Sequence, residues 1–354
     1  MPFMNNAPDQ AAWRSAMLWF LFFLICMGFG YPTLNRYDPR QVYGLYDTRA
    51  YSSMVTGAPL QSDQTDLSHR ILVPYLARPV YWLVKGRLKT WDPAFFALLV
   101  SNSFFIATSA WLLVRIADRF TQNHSTALLA GLIYLANFAI ANFNLSGYVD
   151  SSVNCVLLLM ALALMHDRWS FLPLLGILGG LSKETFVPLS VVFAFAWWLA
   201  ERNQTALKGR RLALIALMAA ISLAVVFCVM STGPYPNTPF NFAASRQSSS
   251  GSGFFYLSGL LRCLTAREFL YVFVWLLPLG LVRLRRLPKP WVVASMAAAL
   301  TALALGAYDD ALGNATRAIF SACGPVLSLS VAFLLAEVQK PKDGPQLQNS
   351  SMTT

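Results

Sequence analysis

Residues 147–189 read GYVDSSVNCVLLLMALALMHDRWSFLPLLGILGGLSKETFVPL. Asp150 precedes one apolar run, 152–165, and a second, 170–184, ends in the adjacent pair Lys183 and Glu184. Both runs fall short of the roughly 20 residues that carry a helix across a bilayer. The stretch therefore reads as short membrane helices, broken or re-entrant around LSKETFVP, with charge at the depth of their ends. Charge at that depth marks function by default; an interfacial kink with Lys183 and Glu184 paired is the competing reading.

The rest of the chain extends the pattern. It is 56% hydrophobic, 14% aromatic and only 12% charged, and further apolar runs lie at 12–31, 93–114, 125–143, 186–200, 212–231, 268–282, 291–307 and 318–336. A soluble core has no use for so many such segments, so the chain reads as one all-α, polytopic transmembrane bundle of about ten spans. The first run follows Arg14 and lacks a small-residue cleavage site before YPTLN, which makes it an uncleaved anchor. On this reading residues 1–340 form a single membrane domain and 341–354 a short, disordered cytoplasmic tail.

Threading the runs alternately through a bilayer gathers Arg115, Arg119, Arg168, the loop ERNQTALKGRR, RLRRLPKP and Lys340 with Lys342 on one side. The positive-inside rule makes that side cytoplasmic, together with both termini. It also absorbs the net charge of +11, because basic loops orient the chain and meet anionic lipid. No basic face with interleaved stacking aromatics is present, so nucleic acid is not an expected partner. The five cysteines show no CxxC spacing and the three histidines are scattered, which argues against a Cys/His metal site.

The opposite side carries two long loops, about 32–92 and about 232–267, and loops of that length often cover active sites or bind ligands. In the first, HRILVPYLARPVYWLVKGRLK places Leu72, Leu76, Val80, Leu83 and Val84 on one helical face. That suits a helix lying in the membrane interface, with Tyr75, Tyr81 and Trp82 at headgroup depth, bent or split in two by Pro74 and Pro79. Its start, His69 and Arg70, is an anion-binding corner or part of a surface seal. Asp47, between Tyr46 and Tyr51, is a loop residue that caps a turn or pairs with Arg49, or a partly desolvated carboxylate able to act as a base. Asp150 caps its helix, adds a second carboxylate at the same depth, or does both. Arg317 reaches towards an anion in a cavity or snorkels to lipid headgroups. The second loop is a linker, or a lid that recognises an acceptor.

Taken in order, YDTRAY (46–51), HRILVPYLARP (69–79), the 147–189 stretch and GNATRAIFSACGPVLSLSVAFLL (313–335) resemble bacterial members of the GT-C superfamily. These are integral-membrane glycosyltransferases that use polyprenyl-phosphate sugars, and the likeness covers most of the chain. It implies a GT-C-like fold in a bacterial inner (plasma) membrane. It implies Asp47 as the general base that takes a proton from an acceptor hydroxyl on the extracytoplasmic side, with inversion at the sugar. Asp150, Asp38 and Glu184 would be acids that shape the site, and Arg70, His69, Lys183 and Arg317 would bind the leaving phosphate. The implied partners are membrane lipid, a polyprenyl-phosphate-linked sugar as donor, and a glycan, lipid or protein as acceptor.

Family members often carry adjacent acids where Asp38 and Asp47 are separated here. A divalent metal at Asp47 and Asp150 is therefore left open, and enough converging cations would serve in its place. The rival reading is a multi-pass transporter or a lipid or oligosaccharide flippase. Transporters commonly show internal repeats and ionisable residues at mid-membrane; here no repeat stands out and the charges gather on one side.

Overall fold

A computed structural model describes residues 8–36, 46–60, 62–201, 208–232, 257–308 and 315–338, and the regular structure among them is helical throughout. The α-helices are α1 Pro8–Arg36, α2 Tyr46–Thr56, α3 Leu72–Val84, α4 Pro93–Thr121, α5 His124–Leu135, α6 Asp150–Met165 and α7 Leu172–Ser182. They continue with α8 Phe186–Ala200, α9 Lys208–Thr232, α10 Leu257–Thr265, α11 Arg267–Phe273, α12 Leu276–Val282, α13 Lys289–Tyr308 and α14 Ala315–Val338. Asp38, residues 233–256 of the second long loop, and the tail lie outside the described residues.

Each of the ten apolar runs is at least partly helical, but they are not ten equal crossings. α1, α4, α9, α13 and α14 are long and apolar enough to cross a membrane, and the segment from α10 to α12 makes a sixth if its 54° bend lies within one span. α5, α6 and α8 have only 12, 16 and 15 residues. At 1.5 Å per residue the longest of these rises about 24 Å, short of a hydrocarbon core of roughly 30 Å. Among the described residues, five or six segments are therefore long enough for a full crossing, with shorter apolar helices packed among them.

Burial separates the centre from the edge. The apolar windows of α4 and α14 are 78% buried, whereas those of α1 and α9 are 11% and 22% buried and turn Phe20, Leu24, Leu223 and Phe227 outward. Exposed apolar surface on that scale is what a lipid-facing helix presents. Contacts between neighbours run from α4 through α6, α7, α9, α8, α13, α14 and α5 back to α4, with α1 and α3 also packed on α4 and α6 touching α14. The α7 and α9 backbones meet at Gly180, where a Cβ would stand 2.9 Å from the Ser222 carbonyl oxygen. Glycine permits that approach.

Local breaks bring the loops to one end. The run 125–143 is not a single helix. After α5, the Asn137 side chain accepts from the Ala139 amide at 2.9 Å and donates to the Val272 carbonyl at 3.1 Å. Its competition with the backbone ladder interrupts the helix, and a π-helical turn, Ile140–Asn144, follows. Gly147, at φ +96°, then turns the chain into α6 with the Thr48 methyl filling the space a side chain would take. Between α7 and α8 the backbone is extended at Lys183.

In the first long loop, α3 is one helix with Pro79 inside it, so the prolines do not split it. Val73, Ala77 and Tyr81 face the protein, while Leu76 and Leu83 face outward. Of the face expected to lie in the interface, Leu76 and Leu83 thus turn away from the bundle, while Leu72 and Val80 pack against it. Arg78 fastens α3 to α2 through two donations to the Met54 carbonyl, at 3.0 and 3.1 Å.

Candidate functional site

Five separate segments meet at one end of the bundle. The first turn of α2 brings Asp47, the turn before α3 brings His69 and Arg70, and the start of α6 brings Asp150. The link between α7 and α8 brings Lys183 and Glu184, and the start of α14 brings Arg317. All seven expected residues that fall among the described ones are gathered here.

The cluster has two halves. In one, Glu184 takes a two-pronged grip from Arg70, with the Nε donor at 2.9 Å, and His69 Nε2 lies 2.7 Å from the same carboxylate. Arg70 also donates to the Tyr51 hydroxyl at 3.0 Å. In the other half Asp150 accepts from Lys183 at 2.8 Å and from Arg317 at 2.9 Å. The Arg317 guanidinium lies 3.9 Å over the Tyr148 ring, a cation–π contact. Asp47 stands between the halves, one oxygen 3.7 Å from Arg317 and 4.0 Å from Arg70.

This geometry settles several alternatives. Asp47 faces Arg70 and Arg317; Arg49, two positions along α2, projects about 200° away around the helix. Asp150 is the first residue of α6, and its carboxylate bonds to cations from the α7–α8 link and from α14 while Val149 holds the cap position. Lys183 and Glu184 do not bond to each other but diverge to opposite halves. Arg317 is buried and engaged, not snorkelling. The anion at the His69–Arg70 corner is Glu184 itself.

Burial sharpens the electrostatics. The Asp150 side chain is 4% exposed and that of Asp47 19%. Burial alone would push the Glu184 carboxyl up; the Arg70 guanidinium and the hydrogen bond from His69 more than offset this and hold it well below the usual carboxylate range. Burial pushes the Tyr51 phenol up, so it stays neutral beside Arg70. Asp47, Asp150 and Glu184 face Arg70, Lys183 and Arg317, with His69 against Glu184. Burying such a network costs several kcal/mol per ion and apolar replacements are often as stable, so stability does not explain its presence.

Among the described residues, no group of three or more His, Cys, Asp or Glu side chains is placed to hold a metal ion. Asp47 and Asp150, the acids a metal would need, instead share the Arg317 guanidinium. That donor set suits a cation already supplied by the chain. Tyr51 carried no expected role, although its i+4 spacing from Asp47 puts both on one face of α2. Neither did Tyr148, nor Thr48, which donates to the Ser146 carbonyl at 3.2 Å and ties α2 to the turn before α6.

No protein of curated function matches the chain by sequence. In fold it is similar to ArnT from Cupriavidus metallidurans, a GT-C glycosyltransferase whose crystal structure was determined bound to undecaprenyl phosphate. The TM-score is 0.59 at 16% identity, over 88% of this chain and 59% of ArnT. At that identity the likeness establishes the fold, which is the GT-C-like one that the sequence resemblance implied, and this chain spans 59% of its neighbour's length. A family profile described as a predicted membrane protein (DUF2079) matches residues 33–304. The match takes in every member of the ion cluster except Arg317, and the chain belongs to that family.

Proposed function

We propose that this protein is an inverting membrane glycosyltransferase, moving a sugar from a polyprenyl-phosphate donor to an acceptor hydroxyl on the extracytoplasmic side of a bacterial inner membrane. The observation that carries this reading is the position of Asp47. Glu184 and Asp150 are each hydrogen-bonded to cations, whereas Asp47 lies 3.7 and 4.0 Å from two guanidiniums, beyond hydrogen-bonding distance, and is partly exposed. It is a carboxylate left able to receive a proton.

In the proposed step Asp47 takes the proton of the acceptor hydroxyl as that oxygen attacks the anomeric carbon. The bond from that carbon to the phosphate oxygen breaks, and the phosphate leaves from the opposite face with the bonding electrons. Arg70, Lys183 and Arg317 stabilise the charge that develops on it. Protonation of Asp47 removes the carboxylate charge that Arg70 and Arg317 share, so both guanidiniums gain pull on the phosphate as it departs. At an effective dielectric of about 20, each such pair is worth about 4 kcal/mol at 4 Å. His69 and Tyr51 act as positioning residues, one bearing on Glu184 and the other on Arg70.

The bound lipid of the ArnT crystal structure supports a polyprenyl-phosphate donor here, since the two chains share a fold. The test is native mass spectrometry of the purified protein combined with a transfer assay using labelled polyprenyl-phosphate sugars. Wild type should retain the lipid and transfer the sugar, and Asp47→Asn should retain the lipid and transfer nothing. Full transfer by Asp47→Asn would remove the base. A wild-type protein that moves the lipid between leaflets of a vesicle without transferring sugar would establish the flippase reading instead.

A further inference from the structure

α6 starts at the ion cluster; its other end lies about 24 Å away along the axis. There a separate cavity of about 530 Å³ opens between α4, α6 and α7. Arg115 and Arg119 from the last turns of α4 and Arg168 from the turn after α6 contribute its charge, while Trp111, Leu162 and Phe171 contribute apolar wall.

Two features separate this place from an ordinary solvated basic edge. The first is that its arginines have no carboxylate partner among the described residues. Asp118, in the same wall, faces His124 at 3.1 Å, and Asp167, next to Arg168 in sequence, is taken by the buried Arg211. Arg115 instead lies 5.7 Å from the Trp111 ring centre, and His166 is turned to the Leu162 carbonyl at 2.8 Å. The second is a cavity with an apolar lining, which a solvated charged face lacks. A neighbouring cavity of about 380 Å³ flanks the same edge of α4, sharing Trp111, Arg115 and Asp118 and adding Arg14, Leu18 and Leu128.

Cations at a helix end between two apolar slots match one chemistry: an anionic headgroup carrying two hydrocarbon chains. We propose that this is a binding site for an anionic phospholipid of the phosphatidylglycerol type, in the leaflet opposite the ion cluster. Its phosphate lies on Arg115, Arg119 and Arg168, and its chains enter the cavities on either side of Trp111. Basic pockets between membrane helices bind acidic headgroups in this way. A zwitterionic headgroup is a poorer fit, because three guanidiniums outnumber the one carboxylate of the wall, Asp118, which already faces His124. The site is independent of sugar transfer.

The test uses the full-length purified chain in detergent. Native mass spectrometry compares retention of phosphatidylglycerol and of phosphatidylcholine with identical chains, with inorganic phosphate as a third probe. Wild type should prefer phosphatidylglycerol by about tenfold. Arg115→Gln, Arg119→Gln and Arg168→Gln combined should abolish the preference while leaving retention of polyprenyl phosphate unchanged. Leu162→Trp, which narrows the cavity and leaves the arginines in place, should weaken phosphatidylglycerol as well. Equal retention of both phospholipids by wild type would overturn the proposal, as would an unchanged preference in both variants. If inorganic phosphate competes fully and Leu162→Trp has no effect, the site takes a small anion and the lipid assignment fails.

Discussion

Two groups of cations stand at opposite ends of α6 and are treated in opposite ways. At its start, Arg70, Lys183 and Arg317 are buried and each is bonded to a carboxylate. At its end, Arg115, Arg119 and Arg168 are exposed and have no carboxylate partner among the described residues. A buried charge must be neutralised within the fold, so the first group is a finished electrostatic device, rigid before any ligand arrives. An exposed arginine costs the fold little, so the second group leaves its pairing to whatever binds. The first arrangement suits chemistry, where preorganisation lowers a barrier; the second suits reversible docking.

The largest expected effect concerns the one carboxylate in the first group that stands outside hydrogen-bonding distance of a cation. Asp47→Asn keeps the size and polarity of the side chain but removes the base. Turnover should fall by about 10²- to 10⁴-fold, measured as transfer of labelled sugar, with the thermal midpoint in detergent nearly unchanged. A fall of less than tenfold would make Asp47 another structural member of the cluster.

Next comes the removal of a cation from the first group. Arg317→Ala leaves the buried Asp150 with Lys183 alone. The expected loss is about 3 kcal/mol or more, read from a chemical or thermal unfolding series. Apolar repacking around Tyr148 that kept full stability would mean that the first group is less tightly built than its distances indicate.

The Glu184 carboxyl offers a pH test of the same contrast. Its folded value is depressed by Arg70 and His69, so the stability it contributes is fully present above the unfolded value of about 4.3. That contribution is lost as the pH falls from there through the folded value. Wild type should therefore lose stability on acidification below about pH 4, and Glu184→Gln should be less stable at neutral pH with a flatter acid limb. Parallel acid limbs in the two proteins would show that Arg70 and His69 do not hold this carboxyl as the geometry indicates.

Much of this end of the molecule was legible in the sequence because charge is scarce in an apolar chain. Asp47 and Arg70 stood out in the first long loop and Asp150, Lys183, Glu184 and Arg317 at the edges of apolar runs, and the cost of burying charge argues that such residues find one another. Their partners were not legible. Lys183 and Glu184 are neighbours in sequence yet serve different halves, because extended backbone at Lys183 sends the two side chains apart. Asp150 looked like a cap because helix starts favour acids, and only the packing of α6 against α14 shows why it turns to Arg317. The break after α5 rests on Asn137 reaching Val272, 135 positions away, which no local pattern reports. The far cavity was hidden for the same reason: Arg115 and Arg168 become neighbours only when α4, α6 and α7 pack.

A smaller effect should come from Tyr148, whose ring lies under Arg317. Tyr148→Phe preserves the face that attracts the cation, whereas Tyr148→Leu removes it. Arg317 should then lose about 1 kcal/mol of support, seen as lower thermal stability and weaker retention of polyprenyl phosphate in the leucine variant only. Equal losses in both variants would shift the role to the phenol hydroxyl.

The smallest expected effect is the one that most directly probes the other end of α6. Arg119→Ala removes an exposed guanidinium with no carboxylate to leave stranded, so stability without lipid should change by less than about 0.5 kcal/mol. The thermal rise that wild type gains from added phosphatidylglycerol should shrink in the variant, because binding to the folded state alone stabilises by mass action. The two readings separate the ends of the helix in a single experiment. At the start of α6 the cost of losing a cation appears in the lipid-free protein, and at its end it appears only when the ligand is present. A large loss of stability in lipid-free Arg119→Ala would mean that this arginine is already paired within the fold, and the contrast between the two groups would collapse.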